Sequence, residues 1–205
     1  VEGIQAVLAS SDIKIEQALV EGKIPVIIDR DATISERIDF RAIVDARMLK
    51  RFQSDEKGKK SPLIGLGPGF IAGENCLVVI ETNRGKNLGK VIWQGSAESD
   101  TGVPAIVEGR GLERVLYSQN EGIIRTFAEI GDIVAEGQLL AEIGGEAVLS
   151  PFDGTLRGML RDGLCVKAHT KVGDVDPRMD PSLAIQISDK AIIIGQGVLE
   201  VVESL

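Results

Sequence analysis

The sequence has very few of the residues on which most catalytic and cross-linked proteins depend. Among its 205 residues there are one histidine, two cysteines, and only one tryptophan and one tyrosine. A single histidine, His169, excludes a metal site with two imidazole ligands and weakens any catalytic scheme built on imidazole. The cysteines, Cys76 and Cys165, lie in no CxxC motif, so we expect two reduced thiols in a cytoplasmic protein.

Long apolar runs are also lacking. No stretch approaches the roughly 18 apolar residues that a membrane helix needs, and no signal peptide opens the sequence. The 31 acidic residues outnumber the 23 basic ones, which gives a net charge of -8. Such a protein is repelled by phosphate backbones and by anionic lipids, so we expect neither nucleic acid nor a membrane as a partner.

The N-terminal part alternates short elements in the manner of α/β proteins. Ser11 or Asp12 can cap a helix, and Gly22 can end it. The apolar runs Ile24 to Asp29 and Phe40 to Asp45 follow, and each is typical of a strand buried on both faces. This order predicts part of a parallel sheet with crossovers.

The composition then changes twice. The stretch Arg51 to Ser61 holds six charges and almost nothing apolar, which predicts a solvated linker. From Pro62 onward glycine becomes frequent, and short apolar runs alternate with turns. Two glycine loops stand out, Gly65 to Gly69 (GLGPG) and Arg84 to Gly89 (RGKNLG). We expect a β-rich module here.

An internal repeat is the strongest organisational signal. A shift of 32 residues superimposes several identical residues, namely Ser118 on Ser150, Gly122 on Gly154, Arg125 on Arg157, Gly131 on Gly163 and Val134 on Val166. Each half is expected to form strands joined by glycine turns. Two similar halves that each bury one face predict a β sandwich with twofold pseudo-symmetry.

The repeat resembles the biotinyl/lipoyl carrier domain, the barrel-sandwich hybrid, in the phrases GDIVAEGQLLAEI and LSPFDGTLRGML. That family carries a modifiable lysine at a hairpin tip, which corresponds to Gly144 to Glu146 here. No lysine occurs between Asn120 and Met159. The resemblance therefore implies the fold without its carrier chemistry, and we expect neither biotin nor lipoate. Lys167 and Lys171 lie in the other half and are interpreted as surface lysines.

Together these patterns predict a mixed α+β protein with a partial Rossmann-like α/β N-terminal segment and a β-rich region. Within that region, the resemblance to the carrier domain implies a barrel-sandwich hybrid. A C-terminal helix is implied by a family resemblance of the GQGVLEVVE tail. The expected divisions are residues 1–60 for the α/β segment with its linker, 61–112 for the glycine-rich β module, 113–178 for the barrel-sandwich domain, and 179–205 for the C-terminal helical segment.

The glycine loops are the candidate binding site. The loop GLGPG can form a nest of backbone N–H groups around an anion, although it lacks the GK[ST] of a Walker A motif. The second loop adds positive charge to an acidic chain. Tight turns and basic residues that protect a sheet edge explain both loops as well. The candidate ligand-binding residues are Gly65, Gly67, Gly69, Arg84, Gly85 and Lys86. We predict that the two loops share one rim and that Arg84 binds a phosphate through two hydrogen bonds.

Other candidate centres are weaker. Asp29 and Asp31 follow a predicted parallel strand, at the end where α/β proteins place ligand clefts, although acids in a strand-end turn explain them as well. The remaining carboxylates form no recognisable acid–base pair, and no nucleophile–base pair or metal-ligand set is recognisable. We therefore assign no catalytic residue and no metal ligand.

The stretch PLIGLGPGFIAGENCLVVIETNRGKNLGKVIWQGSAESDTGVP resembles the selenium-dependent molybdenum hydroxylase system proteins of the YqeB type. The similarity extends from VEGIQA to the GQGVLEVVE tail. The family pattern has His where this chain has Lys86 and Arg where it has Lys90, so positive charge is retained and imidazole chemistry is not. Family members begin with a glycine-rich Rossmann-type opening. Because this chain starts at Val1, we expect an N-terminally truncated member.

The resemblance implies an accessory role in the cytoplasm. The chain would be a maturation factor for selenium-dependent molybdenum hydroxylases, binding a molybdopterin-type cofactor, the apo-hydroxylase or both. One alternative is an enzyme that modifies a nucleotide or cofactor through the α/β half, with its ligand at Asp29. Another is a protein-interaction scaffold. The expected partners are the apo-hydroxylase or other maturation proteins. The sequence is also compatible with a homo-oligomer.

Overall fold

The computed structural model describes residues 2–51, 60–104 and 106–205. The predicted linker at Arg51 to Ser61 falls mainly on residues 52–59, which lie outside the described residues. The chain divides into two compact units. The first comprises Val1–Thr101 with Ile187–Leu205, and the second comprises Gly102–Gln186.

The first unit combines short strands with two α-helices. Its elements in chain order are β1 (Ala6–Leu8), α1 (Asp12–Val20), β2 (Ile24–Val26), a 3-10 turn (Thr33–Glu36), β3 (Ile43–Asp45), β4 (Leu63–Leu66), β5 (Ile71–Ala72), β6 (Val78–Ile80), β7 (Val91–Ile92), β8 (Gly95–Ser96) and α2 (Asp189–Ser204). The mixed fold and the C-terminal helix agree with the sequence prediction. Neither helix in the described residues is long and apolar enough to cross a membrane.

The described residues of this unit form three small sheets. Strands β1 and β2, which precede and follow α1 in the chain, pair in parallel. Strands β3, β4 and β6 form a parallel array, to which β7 adds in the antiparallel direction beside β6. Strands β5 and β8 form an antiparallel pair. The carboxyl ends of β3, β4 and β6 therefore meet at one edge of the four-stranded sheet.

Helix α1 forms as predicted, whereas the strands predicted at Ile24 to Asp29 and Phe40 to Asp45 are shorter, Ile24–Val26 and Ile43–Asp45, and are less buried than predicted. The Ser11 hydroxyl accepts the N–H of Lys14 and caps α1, which ends just before Gly22. In the run Ile24 to Asp29, however, Ile28 is 88% exposed, and both ends of β2 are also exposed. Among the described residues β2 pairs with β1 and no other strand, so no layer covers the face expected to be buried.

The four-stranded sheet is covered on both faces. One face packs Ile64, Val78 and Ile80 against α2, chiefly against Ile194 and Val201. The other face packs Leu63, Phe70, Ala72, Val79 and Ala97. Successive residues of β6 alternate between these two layers, as strand geometry requires. Helix α2 is therefore part of the core on which the loops after β4 and β6 are mounted.

The second unit is built from strands and two 3-10 turns. Its elements are a 3-10 turn (Leu112–Arg114), β9 (Val115–Tyr117), β10 (Gly122–Thr126), β11 (Ile133–Val134), β12 (Leu139–Ile143), β13 (Glu146–Leu149), β14 (Gly154–Met159), β15 (Cys165–Val166), β16 (Lys171–Asp176) and a 3-10 turn (Pro181–Ala184). They form two four-stranded sheets, ordered β13-β12-β10-β15 and β11-β14-β16-β9.

The 32-residue repeat relates these two sheets. Adding 32 to the residue numbers carries β9 to β12 onto β13 to β16, and this shift exchanges the sheets. Hydrogen bonds obey the same shift. The N–H of Gly131 donates to the carbonyl of Leu156 at 2.8 Å, and the N–H of Gly163 donates to the carbonyl of Ile124 at 2.9 Å. The two sheets share one core that contains Ile124, Leu140, Ile143, Leu156 and Val175.

Two glycines occupy equivalent close contacts in this arrangement. A Cβ on Gly154 would collide with the backbone oxygen of Asp176, and a Cβ on Gly122 would lie 2.5 Å from the backbone nitrogen of Gly144. Backbone atoms cannot move aside as a flexible side chain can. Within each sheet, β14 therefore approaches the end of β16, and β10 the end of β12, this closely only with glycine at these two positions.

These contacts predict that alanine substitutions at two glycines of β14 change the free energy of unfolding by very different amounts. Gly154→Ala should lower the free energy of unfolding by about 2 kcal/mol, because overpacking against backbone forces the strands apart. Gly158→Ala, four residues along β14, has nothing within 4 Å of the added Cβ and should change stability by less than about 1 kcal/mol. Urea denaturation followed by circular dichroism measures both. Equal losses in the two variants would contradict the packing described here.

Candidate functional site

The candidate site lies at the carboxyl edge of the parallel strands of the first unit. The segment after β6, here called the 81–90 loop (Glu81 to Lys90), contains Arg84, Gly85 and Lys86, which are all exposed. Clefts at this edge are where α/β sheets place their ligands. A cavity of about 400 Å³ opens beside the loop. Its lining includes Glu81, Asn87, Lys90, Trp93, Ser96 and Glu98.

Two carboxylates hold the 81–90 loop in place. Glu81 is 1% exposed, and its two oxygens accept the backbone N–H groups of Asn83 and Glu98, each at 2.7 Å. Glu98 in turn accepts the side-chain amides of Asn87 at 2.7 Å and Asn83 at 2.8 Å, and these bonds lower the pKa of Glu98. Side chains of the loop itself therefore attach it by hydrogen bonds to Glu98, in the segment after β8.

The glycines of the GLGPG loop serve packing in this structure. The ring of Phe70 covers Gly65, and the side chain and backbone of Leu49 press on Gly69. Gly67 has a φ of +85°, and its N–H donates to the carbonyl of Ile80 at 3.0 Å. All three glycines are buried. The contact between Gly67 and Ile80 places the two glycine loops at the same edge of the sheet.

Thr82, in the 81–90 loop, faces the GLGPG loop. Its side chain is above Gly67, where an added Cβ would approach the Thr82 hydroxyl to 2.7 Å. The residue is 4% exposed, and its hydroxyl forms no hydrogen bond with the residues that the structure describes. A larger residue at position 67 would therefore push the 81–90 loop away from β4.

Arg84 already holds an anion. Its guanidinium donates two hydrogen bonds to the carboxylate of Asp189, at 2.8 and 3.0 Å, and this pairing raises the pKa of Arg84. Asp189 is the first residue of α2, and the preceding Ser188 caps the helix by accepting the N–H of Ala191. The exposed loop and the N-terminus of α2 thus form one surface.

Lys190 is the residue that the sequence reasoning missed. It is partly buried beside Arg84, and it forms no hydrogen bond or ion pair with any residue in the described ranges. Burial, followed by the charge of Arg84, lowers its pKa. The only sequence signal is a lysine in the first turn of a helix, where the helix dipole disfavours positive charge.

The second candidate position, Asp29, is engaged locally. Its carboxylate accepts the N–H of Ile34 at 2.8 Å and the hydroxyl of Thr33 at 3.1 Å, and these contacts lower its pKa. A separate cavity of about 290 Å³ opens after β1 and β2 and is bordered by Asp12 and Arg37, which bind each other. Among the described residues no group of three or more His, Cys, Asp or Glu is placed to hold a metal ion.

A second charged cluster lies in the second unit and is structural. Asp176 is fully buried, and its carboxylate accepts hydrogen bonds from Arg178 at 2.6 and 2.8 Å. Arg157 lies 3.4 Å from the same carboxylate, and the buried Arg114 donates to Asp174 at 2.9 Å. The bonds from Arg178 lower the pKa of Asp176 to about 2, although burial alone would raise it.

Comparisons with known proteins show a sequence similarity that extends over nearly the whole chain. No protein-family model matches the chain. The chain is 40% identical over 200 residues to "Uncharacterized protein YqeB" of Escherichia coli strain K12. That match covers 98% of this chain and 37% of the relative, so the chain spans little more than a third of the relative's length. The relative is therefore a homologue of nearly the whole chain, and its name specifies no activity.

Solved structures add little. The product-bound and apo structures of the ectoine utilization protein EutE (DoeB) from Ruegeria pomeroyi are 19% and 20% identical to the chain. Each match covers 41% of this chain, and they cover 27% and 28% of those chains. The TM-score is 0.29 in both cases, which supports no argument about fold or function.

The Asp176 cluster predicts a loss of stability in acid. The pKa of Asp176 is lowered from 3.8 to about 2 on folding, so its contribution is present above about pH 4 and is lost as the pH falls towards 2. The loss should amount to about 2 kcal/mol. Asp176→Asn should remove this part of the pH dependence, whereas Glu142→Gln on an exposed strand position should keep it.

Urea denaturation of the three proteins at about pH 5, 3 and 2 measures this difference. If the Asp176→Asn variant lost stability with pH as steeply as the unsubstituted chain, the ionised Asp176 would not be stabilising the second unit.

Proposed function

We propose that this chain is an accessory ligand-binding module in the maturation of selenium-dependent molybdenum hydroxylases. The role is the one that the resemblance to YqeB-type proteins implies. The 40% identity to YqeB links the chain to that relative, whose name specifies no function. The ligand is a phosphate-bearing cofactor of molybdopterin type, bound at the 81–90 loop. The apo-hydroxylase, or another maturation protein, is the partner that receives it.

The observation that carries this proposal is an exposed basic loop, held by hydrogen bonds, at the sheet edge where α/β proteins commonly place ligands. Hydrogen bonds to Glu81 and Glu98 hold the loop. Binding a ligand through Arg84 and Lys86 therefore costs little conformational entropy of the loop. The net charge of the chain is -8, so basic side chains gathered on one loop are not a consequence of composition. Arg84 also has the planar geometry that binds two phosphate oxygens together.

The position of the other polar groups favours binding over catalysis. An enzyme acting through the α/β half would use Asp29, and both oxygens of Asp29 are engaged with Thr33 and Ile34. The loop offers positive charge and backbone donors but no paired nucleophile and base.

The proposal predicts a loss of ligand binding without a loss of fold. Arg84→Ala combined with Lys86→Ala should weaken binding of a purified molybdopterin cofactor by several-fold to about a hundredfold, since each charge-assisted hydrogen bond contributes roughly 1.5–3 kcal/mol. Isothermal titration calorimetry measures the affinity, with GMP as a nucleotide comparison. Circular dichroism verifies that the variant remains folded.

A matched control distinguishes a loss of binding at the 81–90 loop from an effect of the chain's net charge. Lys14→Ala combined with Lys167→Ala removes two exposed positive charges elsewhere and should leave the affinity unchanged. Equal affinity of the unsubstituted chain and the Arg84/Lys86 variant would refute the assignment of the loop. Equal weakening in both double variants would show that only net charge matters.

A further inference from the structure

We propose that a phosphate group binds between Arg84 and Lys190 at the N-terminus of α2, and that Asp189 is an internal competitor for this position. The inference rests on the proposed function, because it identifies the part of the ligand that the 81–90 loop would hold. It adds Lys190, which has not been assigned any role, and it defines the ligand by its phosphate group.

The Arg84–Asp189 pair already displays the required geometry. Two guanidinium N–H groups of Arg84 reach two oxygens of one carboxylate, at 2.8 and 3.0 Å. A phosphate presents two oxygens in the same way and carries more charge. Both side chains of the pair are largely exposed, with 44% and 68% of their surface accessible, so an incoming anion can replace the Asp189 carboxylate without opening the core.

Lys190 is a positively charged side chain beside Arg84 that forms no ion pair with any residue the structure describes. The charged groups that act on it are Arg84, Glu81 and Asp100. Glu81 is buried, and its two oxygens are already occupied by backbone N–H groups. Asp100 is paired with Lys50 at 2.7 Å. The partly buried ammonium of Lys190 therefore has carboxylates in its surroundings, but it forms no ion pair in the described part of the chain.

A phosphate at this position would satisfy several groups together. It would neutralise Lys190 and Arg84, and the N-terminal end of the sixteen-residue α2 favours negative charge. Lysine is a common point-charge partner of phosphate, while arginine supplies the paired hydrogen bonds. The first turn of α2 contains Asp189 and Lys190 in succession, so the competing anion and the expected ligand-binding cation are adjacent residues.

Calorimetric titration with inorganic pyrophosphate tests this proposal. Lys190→Met keeps the apolar stem without the charge and should weaken binding 5- to 50-fold, whereas Lys190→Arg should retain most of the affinity. Asp189→Asn should tighten binding at least threefold, because Arg84 is then no longer occupied by a carboxylate. Lys14→Met, on the exposed surface of α1, is the matched control and should leave the affinity unchanged.

A second measurement uses the unsubstituted chain and therefore does not depend on any variant folding. Lysines are labelled with a trace of acetic anhydride, and mass spectrometry quantifies each site with and without pyrophosphate. Pyrophosphate should reduce labelling of Lys190 at least fivefold and leave Lys14 unaffected. Undiminished labelling of Lys190 at saturating pyrophosphate would overturn the proposal.

The outcomes separate this inference from the proposed function. If pyrophosphate binding is lost in the Arg84/Lys86 double variant but unchanged in Lys190→Met, the loop retains its role and the position between Arg84 and Lys190 is wrong. If the double variant leaves cofactor binding unchanged, the proposed function fails at its own test. If Asp189→Asn does not tighten binding, Asp189 is not a competitor.

Discussion

The buried carboxylate of Glu81 is the constraint on which the candidate site depends. A carboxylate that is 1% exposed must have its oxygens satisfied, and here both are bonded to backbone N–H groups of two different segments. One segment is the 81–90 loop itself and the other contains Glu98. The cost of burying the Glu81 carboxylate is therefore offset only when the loop has the conformation that makes both hydrogen bonds. The hydrogen bonds of Glu81 therefore also fix where Arg84 and Lys86 lie.

The same loop is also fixed from the side of α2. Gly89 contacts Ile193, and a Cβ on Gly197 would collide with the backbone oxygen of Gly89. Helix and loop backbone thus approach each other closely, which brings the first turn of α2 beside Arg84. In the second unit, glycines again permit close backbone approach, there between neighbouring strands of one sheet.

Much of this organisation could be predicted from local patterns. The cap of α1 at Ser11 and the 32-residue repeat are visible because capping and periodic burial are encoded by neighbouring residues. The surroundings of Arg84 could not be predicted, since Asp189 is 105 residues away in sequence. The glycines at 65, 67 and 69 indicated an anion nest, but their contacts with Phe70, Thr82 and Leu49 depend on tertiary packing. Burial of β2 was overestimated because apolar composition does not reveal how many strands flank it.

The central claim is that the loop after β6 and the start of α2 together bind a phosphate-bearing ligand. Titration of the ¹⁵N-labelled chain with inorganic pyrophosphate, followed through backbone amide chemical shifts, tests it most directly. The account predicts saturable shifts concentrated at residues 84–86 and 189–191, with the amides of the second unit unchanged. Shifts spread evenly over lysine and arginine positions, or no saturable shift at these six amides, would contradict it.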